Sequence, residues 1–169
     1  MKTPNNILTI TFLVGPSGSG KTTYAQDVLL QDPDYQGFVY LSSDKLREVL
    51  TGSESDQSKN GLVFMYLKAF CEYCFVTNQS VILDATNYNK KNRRDFVNLA
   101  KKYNARTLYY VFLKPKDLLI ENNQKRSSRV VPVDVIERQL AGFEGISSDE
   151  VVDGWARNED PIIYIYNNI

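Results

Sequence analysis

Apolar runs that suit β-strands alternate along this chain with segments of helical hydrophobic periodicity. Strands are predicted at residues 7–14, 37–41, 80–83, 107–113 and 161–166. Helices are predicted at residues 21–30, 45–50, 61–77, 90–103, 115–126 and 133–143. Because strands that alternate with helices form parallel sheets covered on both faces, this order predicts an α/β fold.

The 169 residues are enough for one domain with a proper core, and we expect residues 1–169 to form a single domain. No internal repeat or composition shift divides the chain. Residues 51–60 are small and polar, and we expect them to be mobile. Residues 145–158 mix glycine, serine and aspartate with a single tryptophan, Trp155, whose neighbourhood is one guess for the site of the nucleotide base.

The first predicted strand is followed at residues 15–22 by Gly-Pro-Ser-Gly-Ser-Gly-Lys-Thr, which fits G-x-x-x-x-G-K-[ST], the phosphate-binding P-loop. Glycines let the backbone approach a phosphate chain, and successive N–H groups point into one concavity. In such a loop Lys21 reaches the β- and γ-phosphates, and the Thr22 hydroxyl is placed to bind Mg²⁺. The alternative, a flexible linker with a stray lysine, does not explain the strand before it and the helix after it. The residues expected to bind the nucleotide are Gly15, Pro16, Ser17, Gly18, Ser19, Gly20, Lys21, Thr22 and Thr23.

A P-loop after the first strand is the arrangement of P-loop kinases. By that analogy we expect three layers, with a five-stranded parallel sheet in the order 2-3-1-4-5. Ligands of such sheets bind beyond the carboxyl ends of the strands, so the residues after each strand are candidates for the site.

Ser-Ser-Asp-Lys-Leu-Arg follows the second strand at residues 42–47. One interpretation makes Asp44 the N-cap of a helix, with Arg47 as its ion-pair partner. The other makes Asp44 the general base that accepts a hydroxyl proton, and Arg47 a bidentate ligand for an anionic group of the acceptor. The position at the rim of the sheet favours the second interpretation.

Two further candidate segments follow the third and fourth strands. Val-Ile-Leu-Asp-Ala-Thr-Asn at residues 81–87 ends a strand in an aspartate of the Walker B type, which places Asp84 near the metal, followed by Thr86 and Asn87. Lys-Arg-Ser-Ser-Arg at residues 125–129 is a solvated charge run or part of a lid at about 115–131. In the lid interpretation, Arg126 and Arg129 are three residues apart on a helix and face one cleft.

Composition narrows the chemistry. Twenty basic and twenty acidic residues give zero net charge, which argues against a protein that coats nucleic acid but not against a local basic patch. The chain contains no histidine, so a proton acceptor has to be a carboxylate, lysine or tyrosine. Cys71 and Cys74 lie within an apolar helical pattern and are predicted on a buried helix face. We expect neither a signal peptide nor a membrane span.

The order of these motifs resembles the kinase domain of bacteriophage-type polynucleotide 5′-hydroxyl kinases, and the resemblance covers nearly the whole chain. The specific signatures are D-x-x-R, D-x-T-N-x-N-x-x-x-R-R and K-R followed by V-P-x-D-V-I. The resemblance implies transfer of the γ-phosphate of ATP or another NTP to a 5′-OH end of DNA or RNA, with Mg²⁺. Asp44 would be the base, Arg47 would engage the acceptor, and Asp84 would be an active-site residue. Lys21 and Arg126 would act on the donor phosphates, with Arg129 the less secure of the lid arginines.

Two departures from that family stand out: Ser43 precedes the base where Asp or Arg is frequent, and no phosphatase or ligase module accompanies the kinase motifs. The chain is then a stand-alone kinase or an excised domain. We expect action in the cytoplasm, that of the host if the source is a phage. Two alternatives stay open: a kinase of a small molecule such as a nucleoside or sugar nucleotide, and a nucleotide-binding protein without catalysis. DNA or RNA preference, NTP base specificity and oligomeric state are not readable from the sequence.

Overall fold

Five parallel strands form one sheet in the part of the chain that the structure describes. The structure is a computed structural model, and it describes residues 7–127, 129–152 and 160–166. The strands are β1 (Thr9–Val14), β2 (Val39–Ser42), β3 (Val81–Asp84), β4 (Arg106–Leu113) and β5 (Ile162–Tyr166). Their order is β2-β3-β1-β4-β5, so the predicted parallel sheet and its order are confirmed.

Helices connect the strands near the predicted positions. They are α1 (Lys21–Asp27), α2 (Ser43–Thr51), α3 (Asn60–Val76), α4 (Lys90–Tyr103), α5 (Lys116–Gln124) and α6 (Val133–Ala141). The first helix is shorter than predicted, since α1 ends at Asp27 and Val28 is its C-cap. Two 3₁₀ turns, Leu29–Gln31 and Pro33–Tyr35, replace its last turn.

The sheet is covered on both faces. Consecutive residues of a strand point to opposite faces, so neighbouring residues of β1 enter different cores. Phe12 packs in a cluster with Leu67 of α3 and Phe96 of α4. Leu13 packs in a second cluster with Ala25 of α1. The helices therefore form two layers around the sheet, as predicted.

The central helix α3 accounts for the two cysteines. Cys71 and Cys74 are free thiols on its buried side, which confirms the predicted structural position. Burial raises the pKa of Cys71 to about 12, so its thiol stays protonated at neutral pH. Among the described residues, α3 and the other helices include none that is long and apolar enough to cross a membrane.

The sheet register brings three strand ends together. Ser42, the last residue of β2, lies beside Asp84, the last residue of β3. Asp84 in turn lies beside Leu13 of β1, just before the P-loop. The segments that follow these strands therefore meet at one edge of the sheet.

Candidate active site

The P-loop connects β1 to α1 and packs tightly against α5. Gly18 has a φ of +82°, and a Cβ there would lie 2.4 Å from the carbonyl oxygen of Leu119 in α5. Only glycine combines that left-handed backbone with such close contact. The Gly15 N–H donates to the Thr86 carbonyl at 3.0 Å, which ties the start of the loop to the segment after β3. The loop is thus fixed by glycine geometry and by its neighbours.

Lys21 is buried inside the loop that it belongs to. Its ammonium group donates to the carbonyl oxygens of Gly15 and Pro16 at 2.8 and 2.9 Å, and to the Ser19 hydroxyl at 3.4 Å. Removal from water lowers the pKa of Lys21 to about 8, although the charges of Asp84 and Asp44 act in the opposite direction. Lys21 is therefore still mainly protonated at neutral pH, although burial destabilises its ammonium form.

Asp84 lies at the bottom of the cleft, where the sequence placed a metal-binding carboxylate. Its Oδ2 accepts a hydrogen bond from the Thr22 hydroxyl at 2.7 Å and another from the Tyr40 hydroxyl. Burial and the Asp84 charge raise the pKa of Tyr40, so this phenol stays a donor. The sequence analysis did not single out Tyr40 of β2, because tyrosine is a common residue in β-strands.

Asp44 lies in the first turn of α2, and the N-cap interpretation of this residue is wrong. The cap is Ser42, whose hydroxyl accepts from the Lys45 N–H at 3.3 Å, so α2 starts two residues before the predicted position. The Asp44 carboxylate is free to face the cleft. Its Oδ1 contacts both Arg47 at 2.5 Å and Arg129 at 2.6 Å, and Arg126 lies 3.8 Å from Oδ2.

Arg47 is buried beside Asp44, with an exposed fraction of 4%. Besides Asp44, it donates to the carbonyl of Glu54 at 3.3 Å and to Asn60 Oδ1 at 3.0 Å. Its Nε has no hydrogen-bond partner among the described residues. The predicted ion pair with Asp44 is present, and the guanidinium also lines the cleft.

The lid arginines reach the cleft from a loop rather than from a helix. The predicted helix to residue 126 is too long, since α5 ends at Gln124. Asn123 then holds the returning chain by two hydrogen bonds to Val131, at 2.6 and 2.9 Å. Between these anchors, Arg129 contacts Asp44 at 2.6 Å and Arg126 approaches it at 3.8 Å. The helical spacing argument was wrong, but both arginines do face one cleft.

Two of the predicted substrate-binding residues lie in different surroundings. Thr86 lines the cleft. Asn87 is buried below it, with a φ of +48°, and its amide donates to the Leu13 carbonyl at 3.0 Å. The structure thus places Asn87 as a support for the end of β1, because its amide is used by the backbone of that strand.

One cleft of about 1630 Å³ is lined by the charged candidates and by Thr86: Lys21, Asp44, Arg47, Asp84, Thr86, Arg126 and Arg129. The P-loop, from Ser17 onward, forms one wall with Thr23, whereas the backbones of Gly15 and Pro16 lie behind it and hold Lys21. Helices α3 and α4 also line the cleft, with side chains that include Phe64, Met65, Lys68, Lys91, Arg94 and Asp95. Among the described lining residues, nine are lysine or arginine and four are aspartate. The cleft is therefore positive in a chain whose net charge is zero.

Sequence analysis missed Gln139 of α6 and the role of Arg93 of α4. Gln139 Oε1 accepts the backbone N–H of Ser17 at 2.8 Å. Arg93 is fully buried and donates to both oxygens of Glu150 at 2.7 and 3.1 Å, and to the carbonyl of Asn87 at 2.8 Å. In the sequence Arg93 was noted only as part of a motif. Its partner Glu150 could not be predicted because it lies 57 positions away. Trp155 lies outside the described residues.

Replacing Arg93 with methionine is expected to destabilise the protein by about 3–5 kcal/mol, because the Glu150 carboxylate would stay buried without its cation. Although burial raises the pKa of Glu150, hydrogen bonds from Arg93 and Ser147 hold it below its usual value. Urea unfolding measures the effect. Arg94→Met on the exposed side of the same helix is the control, with an expected change within about 0.5 kcal/mol. Equal effects of the two substitutions would contradict the prediction.

Comparison with solved structures places this fold among kinases. A chain of the Pnkp1/Rnl/Hen1 RNA repair complex superposes with a TM-score of 0.70 at 23% identity, covering 83% of this chain and 45% of its own length. A sugar kinase from Janibacter sp. HTCC2649 superposes with a TM-score of 0.63 at 18% identity, covering 95% of this chain and 85% of its own length. A gluconokinase from Sinorhizobium meliloti 1021 superposes with a TM-score of 0.59 at 15% identity, covering 96% of this chain and 84% of its own length. This chain spans less than half of the RNA-repair protein that it matches.

Sequence comparison defines the family. A family model described as an AAA domain, AAA_33, matches residues 10–146, which is well over half of the chain. The motif order, the sheet order and this match agree, so the chain belongs to the AAA_33 family of AAA domains and has the fold of a P-loop kinase.

Proposed function

We propose that this P-loop kinase transfers the γ-phosphoryl group of ATP or another NTP to the 5′-hydroxyl end of DNA or RNA. The observation that carries the proposal is the positive cleft, which extends past Asp44 along α3 and α4. An acceptor that is a polynucleotide carries phosphates beyond the reacting hydroxyl, and basic groups there attract them. Phe64 and Met65 of α3 offer apolar surface for a base.

In the proposed reaction each group of the cleft has one role. Lys21 and the N–H groups of the P-loop hold the donor phosphates. Asp44 accepts the proton of the 5′-hydroxyl while the hydroxyl oxygen forms a bond to the γ-phosphorus. The bond between the γ-phosphorus and the bridging oxygen of the β-phosphate breaks, which releases NDP. Arg47 binds a phosphate of the acceptor, and Arg126 and Arg129 turn from Asp44 toward the transferred group. Catalysis of this kind rests on positioning and on charge stabilisation.

Mg²⁺ fits the residues at the bottom of the cleft. Thr22 and Asp84 present hard oxygen ligands that share one hydrogen bond. Among the described residues, no three acidic, cysteine or histidine side chains form a metal cage. Mg²⁺ does not need such a cage, since it binds through one or two carboxylates together with phosphates and waters. Bound there, the ion would neutralise charge on the donor phosphates.

The test is transfer of labelled phosphate from ATP to single-stranded DNA and RNA with 5′-hydroxyl ends, beside gluconate and nucleosides. Lys91→Gln/Arg94→Gln should raise KM for a long oligonucleotide about tenfold and reduce the salt slope of binding by about 1 for each phosphate that is no longer neutralised. A nucleoside 3′-phosphate should be affected much less. Lys101→Gln, on the outer end of the same helix and outside the cleft, is the control.

Transfer to gluconate or a nucleoside with none to oligonucleotides would support a small-molecule kinase instead, an alternative favoured by the sugar kinases that cover nearly the whole chain. ATP binding without transfer to any acceptor would support a nucleotide-binding protein.

A further inference from the structure

Helix α3 carries apolar side chains both on its buried side and on an exposed side, and its two charged residues are Lys68 and Glu72. Val63, Leu67, Cys71, Cys74 and Phe75 are buried in the core. The opposite side, which we name the α3 outer face, consists of Leu62, Tyr66, Ala69, Phe70, Tyr73 and Val76. Its large side chains are exposed by 36 to 65%. Contiguous exposed apolar surface of this kind marks an interaction site, so we expect this face to bind a partner.

The spacing on the α3 outer face is that of a helix–helix seam. Leu62, Tyr66, Ala69, Tyr73 and Val76 follow one another at intervals of four, three, four and three residues. This is the repeat that lets two helices pack side by side along their length. Tyr66 and Phe70 contact each other on it, with ring centroids 6.4 Å apart. The face is thus a continuous stripe of apolar side chains.

Charge is compatible with pairing of this face with itself. None of its six residues is charged. At its edge, Glu72 is paired with Lys102 at 2.6 Å, and Lys68 lies 3.9 Å from Asp95. A two-fold axis brings identical edges together, which is costly only where like charges are uncompensated. Here each edge charge has a partner within its own chain.

The exposed area suits a weak contact between two copies. An aromatic side chain carries roughly 150–250 Å² of surface, and the three on this face are about half exposed. Together with Leu62 and Val76 they offer several hundred Å² per copy. Two copies then bury roughly 1,000 Å² in total, below the roughly 1,200 Å² of stable interfaces, which is the size of a weak and reversible contact. We propose that the α3 outer face is a two-fold interface between two copies of this chain.

This interface would leave the active site open. The residues of α3 that line the cleft are Asn60, Gly61, Phe64, Met65 and Lys68, and none of them belongs to the α3 outer face. The proposal therefore does not depend on which acceptor the kinase uses.

Sedimentation of the whole chain over a range of micromolar concentrations tests the interface. We expect a species of twice 19.3 kDa that dissociates on dilution. Tyr73→Glu should shift the species to monomer, with an unchanged circular dichroism spectrum. The control is Val49→Glu on α2, an isolated apolar residue that is 80% exposed, which should remain a dimer.

A wild-type chain that is monomeric throughout this range would overturn the proposal, whatever else binds the face. A Tyr73→Glu variant that stays dimeric, or dissociation by Val49→Glu as well, would overturn the assignment to α3.

Discussion

Replacing Asp44 with asparagine should lower the rate of phosphoryl transfer by about 10²–10⁴-fold, which is the usual contribution of a general base. Asparagine keeps the size of the side chain and its place in the first turn of α2, but it cannot take the acceptor proton. Nucleotide affinity should not fall. Arg126 and Arg129 lose a competing anion when the carboxylate is removed, so they remain available to the phosphates. Single-turnover transfer and fluorescent-nucleotide binding measure the two effects.

Glu48→Gln is the matched control for Asp44→Asn. Glu48 lies one turn further along α2, is exposed and pairs with Lys45 at 3.3 Å outside the cleft. Its substitution should leave both rate and affinity unchanged. If Asp44→Asn transfers phosphate at close to the wild-type rate, Asp44 is not the base. A large loss of nucleotide affinity in Asp44→Asn would instead indicate that the carboxylate organises the lid.

Most of the fold was predictable because it is encoded locally. Apolar β-branched runs define the five strands, and the P-loop identifies the first crossover. Helix ends were less predictable because they depend on single side chains. Ser42 rather than Asp44 caps α2, and both residue types are good caps. In the lid, the Asn123 contacts with Val131 replace the predicted last turn of α5.

The candidate site was predictable where a residue follows a strand directly. Lys21, Asp44 and Asp84 all lie at the carboxyl edge of the sheet, as parallel topology requires. Contacts between distant segments were not. Gln139 meets Ser17 across 122 positions, and Tyr40 meets Asp84 across 44. No local pattern specifies such a partner. For the same reason the contact of the Asn87 amide with the Leu13 carbonyl of β1, 74 positions away, was not predicted.

The distribution of charge over the folded chain was also not predictable from the sequence. The composition is neutral, yet the described cleft carries a clear excess of cations. Helices α3 and α4 and the lid each contribute one or two basic residues to the lining of this cleft. The sequence alone allowed a local basic patch without showing where it lies.

Replacing Lys21 with methionine should lower the rate of transfer by about 10²–10³-fold, the usual cost of removing one charge-stabilising donor. It should also weaken nucleotide binding, because the ammonium group would no longer face the donor phosphates. The same nucleotide-binding and single-turnover measurements apply. Lys68→Met, in the part of the cleft that α3 lines, is the control and should leave nucleotide affinity unchanged.

Lys21 should also make nucleotide binding depend on pH in a direction that its environment sets. Burial lowers its pKa to about 8, so above that pH the amine is mostly neutral in the free protein. A bound phosphate chain stabilises the ammonium form and raises the pKa again, so binding takes up a proton. Affinity should therefore fall as pH rises above about 8, a range in which phosphate groups with a pKa near 6 no longer titrate. Calorimetry at about pH 8.5, in buffers of different ionisation enthalpy, should show proton uptake in the wild type and its loss in Lys21→Met. Equal uptake by both proteins would mean that another group titrates, and the buried lysine would not be the cause.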